Sequence, residues 1–571
     1  MDKNAVIDML ERIAVLLELR NENVFKTRAF QNAARVLEGC PSDLAALCAE
    51  KELESLKGIG KGHIARIVRE CHTTGKCSDY EELRKGFPDG IFEMLRIPGL
   101  GAKRAKILYD KLGIDSVKKL TEACKKGKLK DLDGFGEKTQ TKLLQGIERL
   151  RQTTGLFLHI DAEEAAENFV SYLKKTPGIR RIQVAGSLRR RKEIVRDIDI
   201  LVAADKPEAV HAAFVKYPGV RTVVAQGTTK TTVTLRMGIN CDLRTVTESQ
   251  FAAALYYFTG SKEHNVAVRT LAKKKKIKIN EYGLFRGEKL IPCKDESDIF
   301  KAVGLSYIPP EARENMGEIE LAAKGKFPGL VEEKDLRGVF HVHSDYSDGA
   351  APLRKMIEAA ERMGLEYVGI SDHSRSAAYA GGLEVERVYK QWKEIDKLQK
   401  DFKIRIFKGI ESDILQDGSL DYPEDVLKGF DFVIGSVHSR FTMPEKEMTN
   451  RIVRAMENKY LTWVGHITGR LLLKRVGYTV DMGRIFEASQ KTGASIELNA
   501  DPNRLDLDWR LCYHAREKGL RLGIHPDAHS VEGLKSIRYG VAMARKAWLQ
   551  KKDVLNTLPL AQMEKYLKVR K

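Results

Sequence analysis

The chain has 571 residues, of which 43% are hydrophobic and 31% charged. That is more than one core organises, so a globular protein of roughly three to five domains is expected, and no apolar run approaches the ~18 residues that span a bilayer. The net charge of +19 divides as +14 over residues 1–330 and +5 over 331–571, a basic front suited to a polyanionic partner. The start, MDKNAVIDMLERIAVLLELR, is amphipathic at helical spacing rather than a secretory signal. The eight cysteines (Cys40, Cys48, Cys71, Cys77, Cys124, Cys241, Cys293 and Cys512) contain no CxxC pair. Reduced thiols in a cytoplasmic protein that is not embedded in a membrane are therefore expected.

Residues 1 to about 150 read as helices separated by glycine turns. Three segments repeat one pattern: LKGIGKGHIARIV with Gly58 and Gly60, IPGLGAKRAKIL with Gly99 and Gly101, and LDGFGEKTQTKLL with Gly134 and Gly136. In each, Gly-x-Gly precedes a basic helix, so backbone amides can approach a phosphate without side-chain obstruction. The segments resemble the helix-hairpin-helix motif, which implies sequence-independent binding of DNA backbone. Phe25 to Leu37 resembles the amino-terminal domain of polymerase beta, and the resemblance puts Lys26 and Phe30 where a 5'-phosphate and the template are met. The family's Schiff-base lysine aligns on Arg66, which cannot serve as an amine nucleophile, so deoxyribose-phosphate lyase activity is expected to be weak or absent unless Lys61 substitutes.

From about residue 156, alternating strands mix with helices. In VAGSLRRRKEIVRDIDILV, Gly186 and Ser187 follow a strand where a helix can begin and grip a phosphate, with Arg189 and Arg190 adjacent. Asp197 and Asp199 lie two apart in a strand, so both carboxylates leave one face. They repel unless a cation lies between them, and Mg2+ or Mn2+ there would make a two-metal phosphoryl-transfer site. Asp242, in NCDLRTV, is the expected third carboxylate. These elements alone also fit tRNA-terminal or antibiotic nucleotidyltransferases. LYYFTGSKEHNVAVRTLAKKKKIKINEYGLF resembles the nucleotide-selecting segment of DNA polymerase family X. That resemblance implies that Tyr257 and Phe258 pack beside the incoming sugar, that Gly260 and Ser261 restrict its 2' side, that Asn265 touches the base and that Arg269 touches the minor groove. The run Lys273 to Lys276 reads as a solvated helix end. The family's triphosphate-binding arginine aligns with His159, which would put more weight on Arg190.

After AAKGKFPGLVEEKDLRG, strands and helices alternate to the end, and strands such as EYVGISDH, IRIFKGIESDI, FDFVIGSVHS, LTWVGHITG and ASIELNADP finish in polar residues. This is the pattern of a parallel α/β barrel with its site at the strand C-termini. His341, His343, Asp348, His373, Glu411, His438, His466, Asp527 and His529 offer mixed imidazole and carboxylate ligands for two or three Zn2+, Mn2+ or Fe2+ ions, with Arg504 and Arg440 as candidate phosphate contacts. The pattern resembles the PHP (polymerase and histidinol phosphatase) domain, and the domain order resembles bacterial polymerase X.

The expected architecture is multidomain α plus α/β. It divides into an 8-kDa-like helical DNA-binding domain (1–80), a helix-hairpin-helix domain (81–153), a nucleotidyltransferase palm (154–247), a thumb-type domain (248–320), a linker (321–337) and a PHP barrel (338–571). The expected function is gap-filling DNA synthesis in repair, base excision repair included, from deoxynucleoside triphosphates on gapped or primed duplex, with a 3'-5' exonuclease and, as a further activity open to the same site, an abasic-site endonuclease. The competing readings are a histidinol-phosphate-type phosphatase and a non-catalytic DNA end-binding scaffold.

Overall fold

The computed structural model describes the chain except residues 2, 40–43, 50–51, 57–58, 61, 98, 131 and 570–571. It divides into two compact units. The first holds Met1–Thr154 with Gly349–Pro352 and His529–Glu532; the second holds the remainder. Among the described residues no helix is long and apolar enough to cross a membrane.

Residues 1–154 are helical, with main helices Lys3–Leu19, Val24–Gly39, His63–Thr74, Ala102–Leu112 and Glu137–Thr153. Buried side chains from Val6 to Leu150 form one cluster, so the divide expected near residue 80 does not separate two cores. Gly101 and Gly136 stand immediately before their helices, and Gly99 and Gly134 take the left-handed φ of +87° and +80° that favours glycine. The first repeat departs from this register. Its helix starts after Gly62, and Gly60 is the left-handed residue at +61°.

The second unit contains a five-stranded sheet of β1 (Ile179–Val184), β2 (Asp197–Ala204), β3 (Val220–Gln226), β4 (Lys230–Leu235) and β5 (Asn240–Val246). Their order is β1-β2-β5-β4-β3, antiparallel except for the parallel β2/β5 pair. Helices His159–Leu173 and Pro207–Val215 cover one face through Phe169, Phe214, Ile198, Ile200 and Leu243. Helix Phe251–Thr259 covers the other, against Leu201 and Ala203. A small antiparallel sheet of β6 (Lys278–Asn280), β7 (Gly283–Arg286) and β8 (Lys289–Ile291) follows.

Seven parallel strands then run in sequence order: β9 (Gly338–Val342), β10 (Tyr367–Ile370), β11 (Arg405–Asp413), β12 (Phe432–Ser436), β13 (Trp463–Val464), β14 (Ser495–Asn499) and β15 (Leu522–His525). The ring closes just past β15, where the His343 amide donates to the Ala528 carbonyl (2.9 Å) and the Ala528 amide to that of His341 (3.1 Å). Phe340, Tyr367, Phe407, Phe432 and Trp463 form one buried aromatic cluster inside it. Gly409 is required there, since a Cβ would lie 2.1 Å from the Phe432 ring.

The segment expected to link the two regions is packed against the chain on either side. Val331 is fully buried, its amide donates to the Leu549 carbonyl (2.9 Å) and its own carbonyl accepts from Arg545 (3.1 Å). Trp548, from the end of the chain, sits in the same hydrophobic cluster as Tyr256, Val268 and Phe300 of the thumb-type region.

Candidate active sites

β2 and β5 are parallel neighbours in a register that pairs Asp199 with Asp242, and Asp197 with Asn240. Ile198 and Cys241 turn into the core at 0% exposure, so strand alternation sends all three carboxylates to one face. Burial first, then the charges of Asp197 and Asp242, push Asp199 up to about 7; burial and then Asp242 raise Asp197 as well. Asp242 accepts a hydrogen bond from Thr232 Oγ1 (2.6 Å) and pairs with Lys230 Nζ (2.7 Å). Three carboxylates on one face, of which Asp197 and Asp199 resist ionisation and Asp242 pairs with an ammonium, have the donor chemistry of a divalent-cation site. Lys230 was not singled out from sequence, and its place on a strand neighbouring Asp242 is the signal that was available. Gly186, at φ +63°, is held by the same centre, because a Cβ would meet Asp199 Oδ2 at 2.1 Å.

The residues implied by the family resemblance are held by specific contacts. Tyr257 and Phe258 pack edge to face at 5.2 Å, with Arg244 4.2 Å above the Phe258 ring. Ser261 is buried and caps the next helix by accepting from the His264 amide, while Gly260 is left-handed at +71°. The Asn265 amide donates to the Tyr257 carbonyl (2.8 Å), and Arg269 Nε donates to the Asn265 carbonyl (3.3 Å). The two arginines after Ser187 are not displayed to solvent. Arg189 forks onto Glu296 (2.9 and 2.6 Å) and donates to Thr259 Oγ1, and Arg190 binds Glu314 (3.2 Å) and the Thr259 carbonyl. Arg190 thus ties elements together where a freely offered phosphate contact was expected. His159, only 3% exposed, bonds the Lys192 carbonyl (3.0 Å) and Arg191 (3.0 Å) beside Glu163.

In the barrel, His341, His343, His373, Glu411, His438, His466 and Asp527 lie at or just beyond the strand C-termini. His341, Glu411 and His466 form one group with ligand atoms within 4.8 Å of one another; His373, Glu411 and His438 form a second, His341, His343 and Asp527 a third, and His343, Asp348 and His373 also meet. Glu411 is central: its carboxylate lies 2.9 Å from both His373 and His466, 3.2 Å from His341 and 3.3 Å from His438. His529 belongs to the segment grouped with the first unit, where its carbonyl accepts from the Ala350 amide (2.7 Å). His341, His466 and Asp527 hold left-handed φ values of +61°, +23° and +52°, strain of the kind that concentrates at functional sites.

The carboxylates that orient these ligands were missed. Glu497 accepts from the His466 amide (2.7 Å) and sits 2.5 Å from His341 Nδ1, and Asp413 lies 2.6 Å from His438 Nδ1. A glutamate within the wholly buried strand SIELN was the sequence signal for the first. Burial favours a neutral His438, yet Glu411 and Asp413 raise it to about 9. Glu411 itself is held well below the carboxylate range, its burial outweighed by His373, His341 and His438. His341 Nε2 and Glu411 Oε2 are buried and make no hydrogen bond. Imidazoles oriented by carboxylates, around a central glutamate, fit a cluster of divalent ions. Arg504 Nε lies 3.7 Å from Asp527; Arg440 is exposed.

In the first unit, a Cβ at Gly60, Gly62, Gly99, Gly101, Gly134 or Gly136 would meet nothing within 4 Å, so these turns are open. Gly58 and Lys61 lie outside the described residues. Lys26 is exposed and pairs with Glu22. Phe30, expected to face the template, is instead 7% exposed and part of the core, whereas Phe25 is 78% exposed. Arg66 donates to Asp79 (3.0 Å).

Fold and sites together define a two-centre phosphoryl-transfer protein, with a nucleotidyltransferase palm followed by a PHP barrel. Family models match at residues 1–77 (helix-hairpin-helix domain), 91–149 (SAM-like helix-hairpin-helix tandem), 254–314 (DNA polymerase beta thumb) and 340–500 (PHP domain). The chain is 40% identical over 575 aligned residues, all of both chains, to "DNA polymerase/3'-5' exonuclease PolX" of Bacillus subtilis (strain 168). It is 25% identical to a "probable phosphatase" of Thermoanaerobacter sp. (strain X514), over 40% of this chain and 94% of that protein, and 30% identical to "Repair DNA polymerase X" of African swine fever virus (isolate Pig/Kenya/KEN-50/1950), over 24% and 82%. The chain belongs to the PHP-containing family X DNA polymerases.

Proposed function

We propose that this protein fills short gaps in DNA during repair, base excision repair included, using deoxynucleoside triphosphates, and that its barrel removes nucleotides 3' to 5' from the primer strand. The observation that carries the polymerase reading is the register that stacks Asp199 on Asp242 beside Asp197, in a chain alignable from end to end with a polymerase-exonuclease.

Asp197, Asp199 and Asp242 would hold Mg2+ or Mn2+, which supplies charge neutralisation for the attacking 3'-oxygen and the leaving pyrophosphate. Asp242, bonded to Thr232 and Lys230, is aimed to accept the primer-terminal proton. Gly186 and Ser187 bring backbone amide and hydroxyl to the phosphates. Tyr257 and Phe258 flank the sugar, Gly260 and Ser261 crowd its 2' side, Asn265 meets the base and Arg269 the minor groove. Lys26 and the turns at Gly60, Gly99, Gly101, Gly134 and Gly136 hold duplex backbone. In the barrel, His341, His343, Asp348, His373, Glu411, His438, His466, Asp527 and His529 are the proposed ligands for two or three Zn2+, Mn2+ or Fe2+ ions, whose chemistry there is to generate hydroxide and clamp a phosphate. Glu497 and Asp413 fix the imidazole orientations, and Arg504 meets the phosphate. We place the protein in the cytoplasm.

Extension of a primer across a gapped duplex by wild type, and its loss in Asp199→Ala, tests the first centre. His341→Ala tests the second: it should abolish exonuclease while extension persists. A wild type that does not extend a primer with either Mg2+ or Mn2+ would refute the proposal.

A further inference from the structure

The barrel helix Ile537–Lys546 ends in a lysine that neither metal centre uses. Lys546 is 1% exposed, and its ammonium lies 2.5 Å from Glu314 Oε1 and donates to the carbonyls of Arg190 and Glu311, both at 3.2 Å. Burying an ammonium is costly unless it is paired and its donors are satisfied, and here all three donors are accounted for. Glu314 is shared: its Oε1 also takes Arg190 Nε (3.2 Å), and its Oε2 takes Lys192 (3.2 Å). Burial opposes ionisation of Glu314, but Lys546 and Arg190 hold its carboxyl below the usual range.

Arg190 and Lys192 lie three and five residues after Ser187, and Arg190 also binds the Thr259 carbonyl, one residue before the Gly260–Ser261 turn. The same turn is held on its far side, where the Ser261 amide donates to the Arg313 carbonyl (3.1 Å) and Arg313 pairs with Glu296 (2.6 Å), the partner of Arg189. One carboxylate therefore joins the barrel to both segments that would handle the incoming nucleotide. A cleft of about 570 Å³ beside this network bears out the proximity: Ser187, Lys192, Arg196 and Asp197 line it together with Arg470 and Arg510 from the barrel.

We propose that Lys546 is a positioning residue for nucleotide incorporation, fixing Glu314 and through it Arg190 and the 259–261 turn, so that the phosphoesterase domain completes the polymerase's triphosphate site. This rests on the polymerase reading above. Lys546→Met keeps the aliphatic stem and removes the ammonium; it should raise the KM for deoxynucleoside triphosphate about tenfold, the worth of one charge-assisted contact, while kcat changes little and exonuclease on a single-stranded primer stays at the wild-type rate. Lys546→Arg should recover most of the loss. Glu314→Gln should raise KM similarly, and the double variant should be no worse than either single one, since both break one link. Unchanged KM in both single variants overturns the proposal. So does a parallel fall of extension and exonuclease with earlier thermal unfolding and no rescue by arginine, which would make Lys546 only a fold-holding group. Failure of wild type to extend at all would instead remove the polymerase reading itself, a result told apart by the wild-type lane alone.

Discussion

Replacing Asp199 with asparagine should stabilise the metal-free protein while abolishing extension. In the folded chain Asp199 is pushed up to about 7 by burial and by Asp197 and Asp242, against an ordinary value near 4. A folded value above the unfolded one means that stability is fully present below about pH 4 and is lost as pH rises through 7. Three units correspond to about 4 kcal/mol at most, and solvent in the open cleft brings the expected figure nearer about 2 kcal/mol. Asparagine has the same shape and carries no charge, so the variant escapes this loss. Thermal unfolding in chelator at pH 8 should place Asp199→Asn a few degrees above wild type, at the lower end of the usual conversion for a large unit, and the two should coincide at pH 4. Adding Mg2+ at pH 8 should reverse the order, because only the intact trio gains binding energy. Coincident unfolding at pH 8, or a gap equally large at pH 4, would refute the account of why these carboxylates sit together.

Gly186→Ala puts a Cβ 2.1 Å from Asp199 Oδ2 at a left-handed φ, and steady-state extension should fall between about tenfold and a hundredfold with exonuclease unchanged. Glu497→Gln loosens His341 and the His466 backbone, so exonuclease and barrel metal content, read by elemental analysis, should drop about tenfold or more while extension continues. Glu163, whose burial is outweighed by His159 and Arg191, is held down to about 2; its stabilisation is present above about pH 4.5 and disappears as pH falls through 2, so Glu163→Gln should cost about 2 kcal/mol in denaturant titrations at pH 7 and nothing near pH 2. With Arg66 bound to Asp79, borohydride should trap no complex on a 5'-deoxyribose-phosphate substrate; a trapped complex lost in Lys61→Ala would contradict this.

Strand geometry made the carboxylate trio and most of the barrel ligands candidates: alternation fixes a face, and polar residues at consecutive strand ends converge when the strands are parallel. Phe30 was misplaced by family position, although the helix itself says otherwise. Phe30, Ala33, Ala34 and Leu37 lie at i, i+3, i+4 and i+7, one buried stripe. The fates of Arg190 and His159 could not be read, because their partners come from far along the chain: Glu314 is 124 residues from Arg190, and the Lys192 carbonyl 33 residues from His159. The long-range lysine at 546 carries no motif at all. How the 321–337 segment packs could not be read for a related reason: glycine and charge are abundant in AAKGKFPGLVEEKDLRG, but a single valine and its backbone hold the segment in place.

That segment bears on anyone who would take the protein apart. The composition of residues 321–337 recommends it as the place to cut, yet a polymerase fragment ending there would forfeit the indole of Trp548 from its thumb core and leave an apolar hollow open to water, and the barrel fragment would lose the strap whose Val331 pairs with Leu549. Separately expressed halves should be sticky and short-lived, and the two activities are better dissected by point substitution than by scissors. The same seam makes exchange of barrels between relatives demanding, since a donor must supply an aromatic plug and a fitting rim as well as a nuclease.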